Sequence, residues 1–479
     1  MAKISYSDAL LLKNVCTNIC DCIENKKATN EVSDRLNKYV DRLEKKANGY
    51  WRLPEGKREV FKALKTIAVL LKNNATKAEI DAVYKEVPSK KNDVSSKCCV
   101  TFLAQEYGVW PSLQGVYEAM SQDSRFVVKV VYVPFEHANA TYKDDSLELY
   151  RKDGITIITH DEYDLSEDNP DIVFFAKPYY TIPFQYNAKE VTKIFDKTVY
   201  IAYGMENNYR LLYYGFHYYL QYSAWRHIVY GNFVKKVGTQ YGYRNGENIV
   251  VWGHPKMDYF ITGKQSSIPE EWKKKINGRR VVCWCPHHTI MPGNEHISTW
   301  LDYNQVIFDW FEQNKDVVLL WRSHQLLFGA LVNNGFMTQE QLDKFLYKKK
   351  QSDNIIIDSN SDYHYAFDVS DAMITDCTTF SIEYLGTGKP LLLTTDDIAQ
   401  CYNYEDVING LYIGEEPIKI VEFLDNVRDG KDPKCALRKE YIDKTIFYPK
   451  NGTIGEYITN NLMNDLVIEQ KILSKRLCD

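Results

Sequence analysis

Two adjacent threonines carry the strongest chemical signal in this chain of 479 residues. Thr378 and Thr379 follow an apolar segment at 371–375 and precede a short helical pattern with a Gly-Lys-Pro exit into the apolar segment 391–393. This order predicts a strand, a hydroxyl-rich turn, a helix and a second strand. Hydroxyls and backbone N–H groups at the start of a helix attract phosphate oxygens. The segment therefore indicates a nucleotide-diphosphate site in an α/β domain.

The elements that must position these threonines form two similar series. Apolar strands alternate with short helices from residue 98 to about 252, and again from residue 280 to 393. Such alternation predicts parallel, doubly wound sheets with the functional loops at the carboxyl ends of the strands. We expect a ligand cleft between the two halves. The stretch 205–230, rich in Tyr and Trp, is predicted to be helix and loop.

The first part of the chain has a different pattern. Residues 1–87 show apolar positions at helical spacing, and the polar segment 88–97 is predicted to be a linker. Residues 1–97 carry 20 Lys and Arg against 13 Asp and Glu, although the whole chain has a net charge of −5. A basic helical module favours an anionic surface as its partner, either lipid headgroups or a polyanionic polymer. The alternative is a solvated helical face.

Composition excludes several classes of protein. The acidic remainder of the chain argues against nucleic-acid binding. The start of the sequence lacks a signal-peptide pattern, and no stretch of about 18 apolar residues is present. The 11 Cys are scattered along the chain. We therefore expect a cytoplasmic protein with free thiols.

The sequence motifs of dinucleotide-binding, P-loop and zincin proteins are missing. The 36 Tyr suit either a sugar- or polyol-binding cleft or an ordinary tyrosine-rich surface and core.

Four motifs together resemble one family. The segment 370–390 is similar to a signature of the CDP-glycerol glycerophosphotransferase family, which contains teichoic-acid and capsule polymerases and primases. Three further segments resemble motifs of that family in order and rough spacing, namely 251–258, 281–286 and 319–324. The resemblance covers about residues 98–470 and leaves out the helical module.

The resemblance implies a transferase with the GT-B fold, an α/β fold of two Rossmann-like domains that face a cleft. Such an enzyme would move a polyol phosphate, of the glycerol or ribitol type, from a CDP-activated donor to a hydroxyl of a cell-surface glycan or lipid-linked polymer, releasing CMP. The alternative is a GT-B glycosyltransferase that uses a nucleotide sugar for capsule or surface polysaccharide. We expect four parts, a helical module at 1–90, an acceptor domain at 98–265, a CDP-donor domain at 266–450 and a C-terminal helix at 451–479 that packs back on the first half.

The resemblance also assigns donor-side residues. Thr378 and Thr379 would stabilise charge on the diphosphate, and Arg322 could pair with a phosphate in a bidentate way. His324 could donate to a phosphate oxygen or assist the departing CMP. Glu383 could accept the ribose hydroxyls.

Three further residues join the predicted donor site. Asp376 lies in the threonine turn and is either part of the site or a turn residue. His287 and His288 replace other residues of the family motif and either face the phosphates or are loop residues. His296 is near them in sequence, but no carboxylate spacing supports a metal, so we expect donor binding without metal or other cofactor.

The acceptor side departs from the family. Teichoic-acid polymerases carry a histidine after the last strand of the first half, where this chain has Tyr203 followed by Gly204. The general base therefore has three candidates, Glu206, Glu106 and Tyr203. Peripheral attachment to the inner face of the cell membrane and a homo-oligomer remain open from the sequence.

Overall fold

The computed structural model describes residues 2–25, 29–47, 49–89, 93–135, 144–264, 266–291, 297–360, 362–394 and 404–478. Its first part is helical, as predicted. The helices are α1 (Tyr6–Glu24), α2 (Thr29–Lys46), α3 (Glu55–Lys72) and α4 (Lys77–Ser89). Val32, Leu36 and Val40 lie on the buried face of α2, which confirms the helical spacing of these apolar residues.

The segment predicted to be a linker contains a short strand. Strand β1 (Lys3–Ile4) pairs in parallel with β2 (Asp93–Val94). The chain thus returns to its own beginning before the first large sheet starts. Two residues of pairing carry too weak a pattern to be recognised in a polar, breaker-rich sequence.

The first α/β half is a sheet of seven parallel strands in the order β5-β4-β3-β6-β7-β8-β9. The strands are β3 (Cys98–Ala104), β4 (Phe126–Tyr132), β5 (Ile157–Thr159), β6 (Ile172–Phe175), β7 (Thr198–Ile201), β8 (Arg226–Val229) and β9 (Ile249–Val251). The helices are α5 (Pro111–Gln122), α6 (Ser146–Lys152), α7 (Leu165–Asp168), α8 (Ala188–Ile194), α9 (Tyr209–Gly215), α10 (Tyr219–Ser223) and α11 (Asn232–Tyr241).

The second half is a sheet of six parallel strands in the order β12-β11-β10-β13-β14-β15. The strands are β10 (Arg280–Cys285), β11 (Val317–Trp321), β12 (Ile355–Ile357), β13 (Ala372–Thr375), β14 (Leu391–Leu393) and β15 (Tyr412–Ile413). The helices are α12 (Asp258–Thr262), α13 (Glu270–Ile276), α14 (Trp300–Gln313), α15 (Leu327–Asn333), α16 (Gln339–Lys350), α17 (His364–Val369), α18 (Thr378–Tyr384), α19 (Tyr404–Gly410), α20 (Pro417–Arg428) and α21 (Cys435–Thr445). The predicted α/β class is confirmed.

One prediction within the first half is wrong. The stretch 205–230 is not only helix and loop, because β8 lies at its end and pairs with β7 and β9. Four residues without a clear alternation give little local strand signal. Pairing with two neighbouring strands decides their conformation instead.

Both large sheets are covered on two faces. In β10, Val281 and Cys283 belong to one apolar cluster, whereas Val282 and Trp284 belong to another on the opposite face. Burial on both sides is typical of parallel sheets between helices. The strands are therefore fixed supports for the loops that follow them. No helix in the described parts of the chain is long and apolar enough to cross a membrane.

The last helix, α22 (Ile454–Cys478), contacts both the first half and the helical module. A Cβ atom on Gly455 would lie 2.1 Å from the carbonyl oxygen of Gly115 in α5, so these two helices touch backbone to backbone. Its far end places Leu477 and Cys478 in the apolar core of the helical module. The helix therefore joins the first half to that module.

Candidate active site

Four neighbouring strands of the second sheet end at one edge. Strands β12, β11, β10 and β13 lie side by side, and the loops after them begin at residues 358, 322, 286 and 376. Because the strands are parallel, their carboxyl ends share that edge. The predicted donor residues that follow β10, β11 and β13 are therefore brought together.

Asp376 ties two of these loops to each other. Its carboxylate accepts hydrogen bonds from the backbone N–H of His287 at 2.7 Å and of Thr299 at 2.8 Å. Burial raises its pKa to about 6, although the backbone hydrogen bonds oppose that rise. Only 1% of the residue is exposed. Asp376 thus holds the site in place and does not face a ligand.

Three histidines come into contact in front of this anchor. The ring centres of His287 and His288 are 4.3 Å apart, and those of His288 and His324 are 4.1 Å apart. One ligating atom from each lies within 4.8 Å of the others, so the group could also surround a metal ion. His296 lies outside the described residues.

Hydrogen bonds to two of these rings show which ring nitrogen carries the proton. The backbone N–H of Leu326 donates to Nδ1 of His324 at 3.2 Å, and that of Thr289 donates to Nδ1 of His287 at 3.3 Å. Each Nδ1 must therefore accept, which puts the proton of a neutral ring on Nε2. Both side chains then present an N–H donor, which suits a phosphate oxygen better than a cation.

The same two histidines are uncharged at neutral pH. Burial, followed by the neighbouring imidazoles, lowers the pKa of His287 to about 2. Burial and then His288 lower that of His324 to about 3. The cluster therefore offers hydrogen-bond donors without a fixed positive charge.

The threonine turn lies at the start of α18 and faces the first half. The side chain of Thr378 lies outside the described part of the chain, whereas Oγ1 of Thr379 lies 3.1 Å from Sγ of Cys377. A Cβ atom on Gly204 would lie 3.2 Å from Cγ2 of Thr379. The loop after β7 in the first half therefore meets the predicted donor turn across the cleft.

Glu206, one of the three predicted bases, acts electrostatically on this turn. Burial is the main cause of the raised pKa of Cys377, to about 11, and the carboxylate of Glu206 adds to it. One carboxylate oxygen of Glu206 accepts from the backbone N–H of Asn207 at 2.8 Å and of Asn208 at 2.6 Å. These bonds orient the carboxylate at the entrance to α9.

The other two base candidates each have a close polar partner. The hydroxyl of Tyr203 lies 3.0 Å from that of Tyr179, and desolvation followed by Tyr179 raises the pKa of Tyr203. Glu106 accepts two hydrogen bonds from Nζ of Lys177, at 2.6 and 2.7 Å. A proton-retaining phenol and an ion-paired carboxylate are both weak bases.

Arg322 is held by its own half of the protein. Its guanidinium forms an ion pair with the buried carboxylate of Asp358 and donates to the carbonyl oxygen of Asn360 at 2.9 Å. These contacts fix the loop after β11 next to the loop after β12. A bidentate bond to phosphate would compete with them.

The carboxylate of Glu383 also has partners within the protein. Nζ of Lys256 lies 2.6 Å from one of its carboxylate oxygens, and the hydroxyl of Tyr363 donates to the other at 2.6 Å. Only 3% of Glu383 is exposed. The pair joins the segment after β9 to α18, so Glu383 contributes to the seam between the halves.

A sequence profile of known proteins now places the chain. The profile described as CDP-Glycerol:Poly(glycerophosphate) glycerophosphotransferase matches residues 199–445, just over half of the sequence. The chain belongs to this family. It is a CDP-glycerol glycerophosphotransferase-like enzyme. The search of curated proteins found no match to this chain.

Solved structures show the fold. The Staphylococcus aureus MnaA structure with UDP matches with a TM-score of 0.52 and 14% identity, covering 77% of this chain and 97% of the other. A Neisseria meningitidis UDP-GlcNAc 2-epimerase bound to UDP-GlcNAc matches with a TM-score of 0.52 and 13% identity, covering 77% and 100%. A variant of the wall teichoic acid polymerase TagF covers 86% and 98% at 15% identity, with a TM-score of 0.49. The likeness to the first two of these structures confirms the predicted GT-B fold.

Two buried residues near the candidate site were not singled out by the sequence analysis. His254 is buried, and its Nε2 lies 2.7 Å from the carbonyl oxygen of Ala202, next to the loop that carries Tyr203. Asp258 accepts hydrogen bonds from the backbone N–H of Ile454 at 2.6 Å at the start of α22. Both lie in the family motif at 251–258, which was the available signal. The sequence gives no sign of their partners.

Proposed function

We propose that the protein transfers a polyol phosphate from a CDP-activated donor to a hydroxyl of a cell-surface glycan or polymer, with release of CMP. In this proposal the domain at 266–450 holds the donor and the domain at 98–265 holds the acceptor. The observation that carries the proposal is the meeting of Thr379 with Gly204, because it brings a phosphate-type turn against a loop that holds a candidate base.

On the donor side, the proposal uses groups that donate hydrogen bonds. The diphosphate lies between the start of α18 and the Nε2–H groups of His287 and His324. The Thr379 hydroxyl and these N–H groups stabilise the negative charge that grows on the departing CMP oxygen. Donors that are fixed before the reaction are more effective than mobile ones, and Asp376 provides that fixation.

On the acceptor side, Glu206 takes the proton of the attacking hydroxyl. The hydroxyl oxygen forms a bond to the phosphorus that carries the polyol, and the bond from that phosphorus to the CMP oxygen breaks. Glu206 is favoured over Glu106 because it follows the Gly204 loop that meets Thr379, and its charge reaches Cys377 in the threonine turn. Proton removal of this kind typically contributes 10²- to 10⁴-fold to a rate.

A donor comparison tests the proposal. The purified protein is incubated with CDP-glycerol, CDP-ribitol and UDP-N-acetylglucosamine in turn, each with a polymer acceptor, and nucleotide release is measured. We expect CMP release from a CDP-polyol that depends on the acceptor. Turnover of the UDP-sugar alone would establish the glycosyltransferase alternative.

A matched pair of variants assigns the base. Glu206→Gln keeps the backbone hydrogen bonds to the side-chain oxygen but cannot take a proton, so CMP release should fall about 10²-fold or more. Glu118→Gln, a substitution on the outer side of α5, serves as the control and should leave the rate unchanged. Equal rates in the Glu206 variant and the wild type would remove Glu206 from the mechanism.

A further inference from the structure

A cavity lies away from the candidate active site. It has a volume of about 380 Å³ and is enclosed by the helical module, the segment that leads into β7, and the end of α22. Cavities of this size commonly hold small organic ligands. Its polar lining residues are Ser7, Asp8, Tyr39, Lys46, Lys57, Lys193, Asp196, Lys197, Glu469, Gln470 and Arg476.

Strand β7 separates this cavity from the catalytic cleft. Lys197 lies just before the strand and lines the cavity, whereas Tyr203 follows the strand and lies at the cleft. The four residues of the strand span about 13 Å at ~3.3 Å per residue. The cavity therefore lies at the amino ends of the strands, opposite the edge used for donor and acceptor.

Positive charge prevails in the lining. Five cationic side chains face the cavity against three carboxylates. Lys197 pairs with Glu469 at 2.5 Å, and Lys57 lies 3.9 Å from Asp8. Burial would lower the pKa of Lys57, but the carboxylates of Asp8 and Asp196 outweigh it and raise that pKa, so Lys57 stays charged.

Two of the cations form no close salt bridge in the described ranges, although Lys46 is within electrostatic reach of Asp196. Lys46 and Arg476 are exposed and form no salt bridge with any residue in the described ranges. Asp196 opposes an anion, yet Lys197 lies 3.8 Å from its carboxylate. An anionic group is the ligand that this balance of charge favours.

A buried amide adds a second requirement. Gln470 lines the cavity and is 8% exposed, and its Oε1 has no hydrogen-bond partner among the described residues. A buried acceptor without a partner costs about 1–3 kcal/mol. A ligand that donates a hydrogen bond to Oε1 would remove that cost.

We propose that this cavity binds a phosphate ester that also carries a hydroxyl group. The phosphate lies against Lys46, Lys197 and Arg476, and the hydroxyl donates to Oε1 of Gln470. The carbon skeleton packs on the apolar part of the lining, which includes Leu43, Leu53, Phe61 and Leu473. The site is separate from the proposed transfer reaction and does not depend on it.

Calorimetric titration of the full-length protein with glycerol phosphate, in the presence of saturating CMP to occupy the donor site, tests the assignment. The double variant Lys46→Glu/Arg476→Glu should weaken binding tenfold or more. Lys45→Glu/Lys475→Glu changes the charge equally at the neighbouring exposed positions, which do not line the cavity, and should bind like the wild type. Equal weakening in both variants, or no binding to the wild type, would overturn the proposal.

The hydroxyl requirement has its own test. Gln470→Leu removes the acceptor and keeps the side chain nearly the same size, so it should weaken glycerol phosphate several-fold and leave inorganic phosphate unchanged. Thermal unfolding without ligand checks that the variant is folded. Equal affinity of the wild type for glycerol phosphate and inorganic phosphate would show a plain anion site and contradict the assigned ligand class.

Discussion

Thr379 is the side chain on which the proposed donor and acceptor sides meet. Thr379→Val keeps the shape of the side chain and its contact with Gly204 but removes the hydroxyl. Loss of one donor to a developing negative charge typically lowers turnover about 10²-fold or more, and we expect that decrease in CMP release. Thr66→Val, an exposed position in α3, is the control. A wild-type rate for Thr379→Val would contradict the assigned role.

His227 makes the stability of the protein depend on pH. It is 3% exposed, and burial lowers its pKa to about 3. The unfolded chain takes up a proton near pH 6.5 and the folded chain does not, so the stabilisation is complete above pH 6.5 and is lost as the pH falls toward 3. At pH 5 the loss is about 2 kcal/mol.

The substitution His227→Leu tests this linkage. Urea unfolding at pH 7.5 and pH 5 should show a smaller loss of stability on acidification in the variant than in the wild type, by about 2 kcal/mol. His217→Leu, at an exposed position, is the control. An identical pH dependence in wild type and His227→Leu would show that His227 is protonated in the folded state.

At the scale of elements, the ion pair of Lys256 and Glu383 connects α18 to the segment after β9. Lys256→Met leaves a buried carboxylate without its cation, which typically costs about 3–5 kcal/mol, so the urea midpoint should fall markedly. Adding Glu383→Gln removes the unpaired charge and should restore much of that loss. Binding of CDP to the double variant then shows whether Glu383 contacts the ribose. If Lys256→Met alone has wild-type stability, the pair does not hold the seam.

The sequence located most elements because their patterns are local. The helical spacing of Val32, Leu36 and Val40 predicts α2, and the continuous apolar run in β10 predicts a buried strand. Strand β8 was missed because its conformation depends on pairing with β7 and β9.

The site was predictable only in part, for the same reason. Resemblance to the family indicated Thr379 and His324, and the order of the strands brought their loops together. The partners of Arg322 and Glu383 could not be predicted. Asp358 meets Arg322 because β12 lies next to β11, and Lys256 meets Glu383 because the two halves close on each other.

At the scale of the whole molecule, α22 joins the helical module to the first α/β half. The cavity described above lies between the same two parts. The sequence predicts an anionic partner for this module, and that stays a prediction. Lys13, Lys38 and Lys85 are exposed on it. Changing all three to Glu should reduce sedimentation with vesicles that contain anionic lipid, and salt should weaken the wild-type association.

A second triple variant tests whether the loss of vesicle binding comes from the helical module or from the change in net charge of the whole protein. Lys235, Lys348 and Lys439 are exposed on the two α/β halves, and changing them to Glu alters the net charge equally. We expect this control to sediment with vesicles like the wild type. No sedimentation of the wild type would leave the helical module without a membrane role.

The affinity difference between CDP and CMP tests the account most directly, because only CDP carries the second phosphate. Calorimetry should show that the wild type binds CDP more tightly than CMP. In Thr379→Val and His324→Asn that difference should shrink tenfold or more, while CMP binding changes little. Equal affinities for CDP and CMP in the wild type, or a parallel loss of both in the variants, would contradict the assignment of the second phosphate to this turn and histidine cluster.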